Sequence, residues 1–379
     1  MTADHWQTKE NAEFLRGPAQ PNRAVAWLKT TIASDRKQTK KVDIGWTREP
    51  PDGKKIFFLD GSRIMEAQIG GAAHPFYVSP SSFGELTSTS RGQMIASLQS
   101  LNTQIWVLPL NAHGLKASGK SYPILSSSAS QSHARFSPDG RYLAFSSTRS
   151  GGAEVWLADS DGKNPRQLTH KSFYIVGYIR WSSDSQMVAF HARLPDDPQV
   201  YIARIADGLV RQVTYGKPGF MGPSWASDGL SLYADALERG ANRTYRIPMA
   251  GGVPQLLVEG GAAIEVPSRN LLIYEKEDQS GIYCRSLTGD IAANQERLLV
   301  EDYEPRWGGF YPVDDGIYYG SLSSLHRAFR FYHFDSGAAV DIAPQPINLH
   351  VGLTVAPDRT RLVYSTYSER QDLVQIEYK

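Results

Sequence analysis

Arginine recurs at one place in this sequence. Arg135 in "ARFSPD" and Arg180 in "IRWSSD" each stand four residues before an aspartate, and Arg306 in "PRWGG" repeats the Arg-aromatic pair. A guanidinium offers its donors in a planar fork, so two or three brought together would hold a carboxylate or phosphate bidentately. The competing reading pairs each Arg with an acid of a neighbouring repeat, because an isolated buried charge is costly. His133 and His350 stand at comparable places, just before a strand. Imidazoles meeting from distant parts of a sequence can ligate a metal, and a metal-assisted lyase or hydrolase is the alternative function they raise. None of the nine histidines forms an i, i+4 pair of the helical zinc-site kind, so the expectation is packed or surface imidazoles, no metal and no other cofactor.

Other reactive arrangements fare less well. No Gly-x-Ser-x-Gly pentapeptide marks a nucleophile elbow, which leaves a peptidase reading without its serine. "DSDGKN", residues 159–164, spaces oxygen ligands as a calcium loop does, yet it lacks a third acid and carries His170 where a bidentate Glu is needed. It reads as a hairpin turn. Cys284 is the one cysteine; it lies in the strand-like "GIYCRSL" and reads as a small packed side chain.

Across 379 residues, 40 Lys plus Arg balance 39 Asp plus Glu, a formal charge of +1. That gives no electrostatic footprint for nucleic acid or an anionic membrane, and leaves protein, peptide or small-molecule partners. No apolar h-region opens the sequence, and no run reaches the roughly 18 apolar residues of a membrane helix. The protein is expected to be soluble, monomeric and not inserted in a membrane.

What would position the arginines is a repeated unit. "HARFSPDGRYLAFSSTRSGGAEVWLADSDGKNPRQLT" reads as four short strands joined by tight turns, and the same order returns in "YIRWSSDSQMVAFHARLPDDPQVYIARIADGLVRQVT" and "PSWASDGLSLYADALERGANRTYRIPMAGGVPQLLV". Second strands start at 56, 94, 143, 188, 232, 272, 317 and 362, spacings of 38 to 49 residues. Four-stranded units with that period must each bury two faces against neighbouring units, the signature of a β-propeller. The expected fold is therefore all-β, an eight-bladed propeller of four-stranded antiparallel blades, with seven blades as the alternative. The last repeat runs out after "LVQIEY", so an N-terminal strand at about 23–33, "RAVAWLKTTIA", is expected to close the ring. Residues 1–22 would be a tail or linker and 23–379 a single domain.

Between first and second strands the repeats carry Asp52, Asp139, Asp184, Asp228 and Asp358, each placed to accept N–H groups of its own turn, with Gly53, Gly140 and Gly229 supplying positive φ. Phe173, Tyr174, Phe220 and Met221 follow fourth strands in "HKSFYIVG" and "GKPGFMG". As exposed loop residues they are the expected interface.

The unit "FSPDGRYLAF…EVWLADSDGKNPRQLT" resembles the WD40-like Pro-Asp-Gly repeat of the periplasmic TolB translocation component and of the propeller in prolyl-oligopeptidase-type peptidases. The stretches "GSRIMEA", "IWVLPL" and "GLTVAPDRTRLVYSTYSERQDLVQIE" are similar to the C-terminal propeller of bacterial winged-helix membrane regulators. The resemblance implies a TolB-like propeller, with a periplasmic location if the sequence is part of a membrane-anchored regulator and a cytoplasmic one otherwise. The function expected is non-catalytic recognition of a protein, peptide or small anionic ligand at the channel rim, the sensor part of a larger protein in the regulator case. Arg135, Arg180, Arg306, His133 and His350 are the expected ligand contacts, and no residue is assigned a catalytic role.

Overall fold

A computed structural model describes residues 55–377, apart from 61–62, 69–72, 79–81, 89–92, 126, 195–196, 239, 289–295, 306–308 and 324–325. The fold is all-β; among the described residues the one helical element is a single 3₁₀ turn, Pro267–Arg269. The protein divides into two compact units, residues 1–101 with 369–379, and residues 102–368. The expected closing strand at 23–33 and the turn acid Asp52 lie outside the described residues.

Six antiparallel sheets include strands of the larger unit. Sheet I comprises Gln131–Phe136, Tyr142–Ser147, Glu154–Asp159 and Arg166–Gln167. Sheet II comprises Ile175–Trp181, Met187–Arg193, Gln199–Arg204 and Val210–Gln212. Sheets III, IV and V keep the same order, with first strands Met221–Trp225, Gly261–Val266 and Phe310–Val313. Sheet VI begins with Leu349–Val355 and differs in its later strands. Its second strand, Arg361–Glu377, is continuous for 17 residues, so "LVY" and "LVQIEY" belong to one strand and not to a hairpin. The next strand in that sheet is Gln93–Pro109, and Tyr122–Pro123 pairs with it in turn. The missing strands of the last repeat thus come from residues just upstream of sheet I. The eight repeats do not become eight four-stranded sheets among the described residues: the copy at 56 lies in a three-stranded sheet of the smaller unit.

Alternation explains the packing. The apolar triplets "LAF", "VAF", "LYA" and "IYY" put one side chain on each face in turn, and both faces are buried. Leu157, Phe173, Ile179, Phe190 and Tyr201 form one cluster from sheets I and II, and Phe220, Leu232, Ala234 and Ile247 extend the next. Trp181 donates its indole N–H to the carbonyl of Arg135 (2.9 Å), and Trp225 donates to that of Arg180 (3.0 Å), each pinning a first strand to the preceding one. The first strand of each sheet lies beside that of the next, and Leu349–Val355 lies beside Gln131–Phe136.

The turn acids behave as their position predicts. Asp139 accepts the hydroxyl of Ser137 (2.5 Å) and the N–H of Arg141 (3.1 Å); Asp184 accepts Ser182 (2.6 Å) and Gln186 N–H (3.0 Å). Asp228 and Asp358 accept Leu230 and Thr360 N–H groups. The residue after each acid is left-handed, and where glycine is absent Ser185 (φ 61°) and Arg359 (φ 57°) take that conformation. "DSDGKN" is likewise a turn, Asp161 accepting Lys163 N–H and Asp159 accepting Asn164.

In the smaller unit, Lys55–Asp60, Arg63–Gln68 and Ala73–Val78 form the three-stranded sheet, and Ser82–Ser88 pairs with the start of Gln93–Pro109. Ile64, Met94, Ala96 and Ile376 make its core.

Candidate ligand-binding site

The first strands of five sheets break register at the same place: between Ser132 and Arg135, Gly177 and Arg180, Met221 and Ser224, Gly261 and Ile264, and His350 and Thr354. Inside each break one residue is left-handed: His133 (φ 55°), Tyr178 (52°), Gly222 (58°), Ala262 (55°) and Gly352 (99°). A bulge of this kind re-aims the neighbouring side chains, and left-handed His, Tyr and Ala store strain that the surrounding packing must hold. Gly352 permits the close approach of His133, whose Cα would stand 3.0 Å from an added Cβ.

Register identifies equivalent residues. Arg135, Arg180, Ser224, Ile264, Tyr311 and Thr354 pair with Ala144, Ala189, Tyr233, Ile273, Tyr318 and Val363, the middle residues of the six apolar triplets. Tyr311, not Arg306, is therefore the counterpart of the two arginines in sheet V. Arg306 itself lies outside the described residues. The guanidinium carbon of Arg135 sits 5.8 Å from the Tyr311 ring centre.

Neither arginine follows the ion-pair reading. Arg135, 4% exposed, donates to the carbonyls of Ala134 (3.3 Å) and Leu353; Arg180 donates to that of Ile179 (3.3 Å). Both Nε groups are buried without a partner among the described residues. Burial pushes the pKa of each down, and for Arg135 the neighbouring Arg180 charge adds to the fall.

A second layer comes from the residue after each triplet. Ser146, His191, Asp235, Glu275 and Ser365 lie opposite Ser132, Gly177, Met221, Gly261 and His350, and all five are buried. His191 Nδ1 faces the N–H of Gly222 (3.4 Å), and Asp235 accepts the N–H of Ala262 (2.7 Å) and the hydroxyl of Thr244 (2.7 Å). Tyr303 donates to Glu275 (2.5 Å). Burial pushes the pKa of Asp235 up to about 7 against the pull of those donors, and burial pushes His191 down to about 4. Repeat alignment of the sequence carries this signal, since the residue after each triplet reads Ser, His, Asp, Glu, Gly, Ser.

His133 and His350 do meet, with ring centres 6.3 Å apart, but inside first strands and not before them. The His133 ring lies tilted against that of Tyr178 (5.4 Å), which in turn lies 5.3 Å from His191. Burial, then the His191 and His350 rings and the two arginines, lowers the pKa of His133, and burial lowers that of His350. Among the described residues no three His, Cys, Asp or Glu side chains meet as metal ligands.

Residues 88–311 match the family model described as the TolB beta propeller domain. The chain belongs to that family. The TolB propeller match agrees with the Pro-Asp-Gly repeats and with the four-stranded sheets. The Tol-Pal system protein TolB of Desulfosudis oleivorans is 29% identical over 116 residues, 30% of this chain and 26% of that protein. A protein TolB homolog of Chlorobaculum tepidum is 29% identical over 124 residues, 32% and 28% of the two proteins. The match thus spans about a quarter of the length of these curated relatives. The structure of a putative TolB from Agrobacterium tumefaciens aligns with a TM-score of 0.56 at 15% identity, covering 71% of this chain and 99% of that one, a likeness of fold.

On this TolB-type scaffold the expected interface needs correction. Phe173 and Phe220 are buried, 2% and 6% exposed, because they plug the seams between consecutive sheets: Phe173 packs on Phe190 and Tyr201, Phe220 on Tyr245. Tyr174 is exposed, and Met221 is half-buried at the start of its strand.

Proposed function

We propose that the larger unit is a non-catalytic recognition module that binds a protein or peptide partner at the bulged end of its first strands. The six sheets are read as blades of one ring, with residues 102–109 and 122–123 completing the blade begun by Leu349–Val355. The neighbouring first strands and the hydrogen bond from Arg135 to Leu353 support that reading. The observation that carries the function is the convergence of a buried Arg135 and a half-buried Arg180 whose buried Nε donors have no partner among the described residues, since buried polar groups in folded proteins are otherwise satisfied. Arg135, Arg180, His133 and His350 are the inner contacts, and Tyr174 and Met221 the rim. The name of one relative points to a component of the Tol-Pal system as the partner class.

Biolayer interferometry of the purified protein against the Pal component from the same genome tests this. Saturable binding that weakens in the Arg180→Gln variant supports the reading; no binding by the intact protein overturns it.

A further inference from the structure

The bulged end has two chemical halves. Arg135 and Arg180 in sheets I and II and Thr354 in sheet VI occupy equivalent positions, and Tyr178 stands in the bulge just before Arg180. Asp235 and Glu275 occupy the acidic half, in sheets III and IV. Tyr178 lies between the halves: Glu275 and Asp235 raise its pKa beyond the effect of burial, and Arg180 and Arg135 oppose them. The basic half is short of acceptors. Among the described residues the two Nε groups, the Tyr178 hydroxyl and the fully buried Thr354 hydroxyl have no partner, and a buried polar group left unpaired is costly.

We infer that Arg135, Arg180, Tyr178 and Thr354 form a receptor for one carboxylate group carried by the partner. This rests on the recognition reading and names the group recognised. A carboxylate accepts several hydrogen bonds at once and fits the guanidinium fork, and its charge relieves the repulsion between the two neighbouring arginines. Charge balance selects the ion. Asp235 and Glu275 beside the two guanidinium groups leave a net count below two positive charges near neutral pH, which favours a singly charged carboxylate over a phosphate dianion. His133 and His350 are held neutral by burial and do not alter that count. An Asp or Glu side chain and the C-terminus of a polypeptide carry the same group.

Isothermal titration calorimetry of the intact protein at pH 7 separates these sources with four probes: N-acetylglycine, the α-amide of N-acetylglutamate, neutral N-acetylglycinamide and inorganic phosphate. One or both carboxylates are expected to bind while the neutral amide does not, and the tighter of the two names the source. Arg180→Gln should weaken that binding at least tenfold. Arg135→Lys keeps the charge but loses the fork, and should weaken it similarly while the melting temperature shows that the fold is intact. Equal binding of the neutral amide, tighter binding of phosphate, no heat from any probe, or undiminished affinity in both variants overturns the inference. Pal binding that ignores both variants sinks the carboxylate receptor and leaves the recognition reading standing; absent Pal binding sinks that reading, while the carboxylate titration is judged by its own outcome.

Discussion

Each hairpin formed by a first and second strand has two ends, and they are built on different principles. At the turn end, Ser137 and Asp139, or Ser182 and Asp184, satisfy one another and the backbone within a few residues. The Ser–Asp pair occurs in sheets I and II, and a turn acid that accepts N–H groups of its own turn recurs in sheets III and VI as Asp228 and Asp358. At the bulged end the backbone repeats as faithfully, but the side chains do not: the positions after the triplets hold Ser, His, Asp, Glu, Gly and Ser, and several buried polar atoms lack partners. One end spends its polar groups on holding the hairpin; the other uses a repeated backbone device to present a different group from each sheet. Selection for folding explains the first and does not require the second, which is why the bulged end is where function is sought.

The largest expected effect tests whether the bulged end is electrostatically strained. Asp235 has a folded pKa raised to about 7, so the native state binds a proton that the unfolded polypeptide releases between about pH 4 and 7, and this contribution favours the fold as pH falls. His191, lowered to about 4, does the opposite: the unfolded polypeptide takes up its proton first, and stability is lost as pH falls from about 6.5. The two offset each other in wild type. Asp235→Asn keeps an acceptor for Ala262 but removes the offset, so the variant should lose about 1.4 kcal/mol more than wild type per pH unit on acidification, about 3 kcal/mol between pH 6.5 and 4.5. Urea unfolding at both pH values reads it, and parallel pH dependence in the two proteins would remove the claim.

Gly177→Val comes next. An added Cβ would stand 2.8 Å from the His191 ring and 3.2 Å from that of His133, so both imidazoles must move. Overpacking of this kind costs about 1–3 kcal/mol, and carboxylate binding should fail with it. A variant as stable as wild type would mean that the bulge is slack and not over-determined. At the other end of the hairpin, Ser137→Ala removes the hydroxyl shared by Asp139 and the backbone of Tyr142, and about 1–2 kcal/mol of stability should go with unchanged binding. Denaturation midpoints and probe affinity measured on the same samples check both halves; a binding defect in the Ser137 variant would erase the distinction between the ends.

The two ends are unequally legible in the sequence. The turn end can be read outright, because Pro-Asp-Gly carries its chemistry within four residues. The arginines are also visible, through their fixed offset from the turn acid. Register is not. In sheet V the first strand is short, and only its pairing shows that Tyr311 and not Arg306 stands at the arginine position. The bulges are hidden because His133, Tyr178 and Ala262 adopt positive φ without glycine to announce it. Phe173 and Phe220 look like loop aromatics because their partners, Tyr201 and Tyr245, belong to strands that come later in the sequence. The last sheet misleads for a related reason: polar residues in "STYSERQD" imitate a turn, but the strand Arg361–Glu377 runs through them without a break.

The smallest stability change carries the sharpest distinction. Arg180→Gln removes a half-buried charge whose hydrogen bonds among the described residues amount to one carbonyl, so the lost interaction and the relieved desolvation oppose each other. Stability should therefore shift by no more than about 1 kcal/mol in either direction. If Arg180 were a seam residue like Trp181, the variant would lose several times that amount, as large buried side chains do when truncated, and affinity would fall only through unfolding. A stable variant with a tenfold weaker carboxylate titration separates the two, because a residue whose charge costs the fold as much as it returns must be retained for something outside the fold.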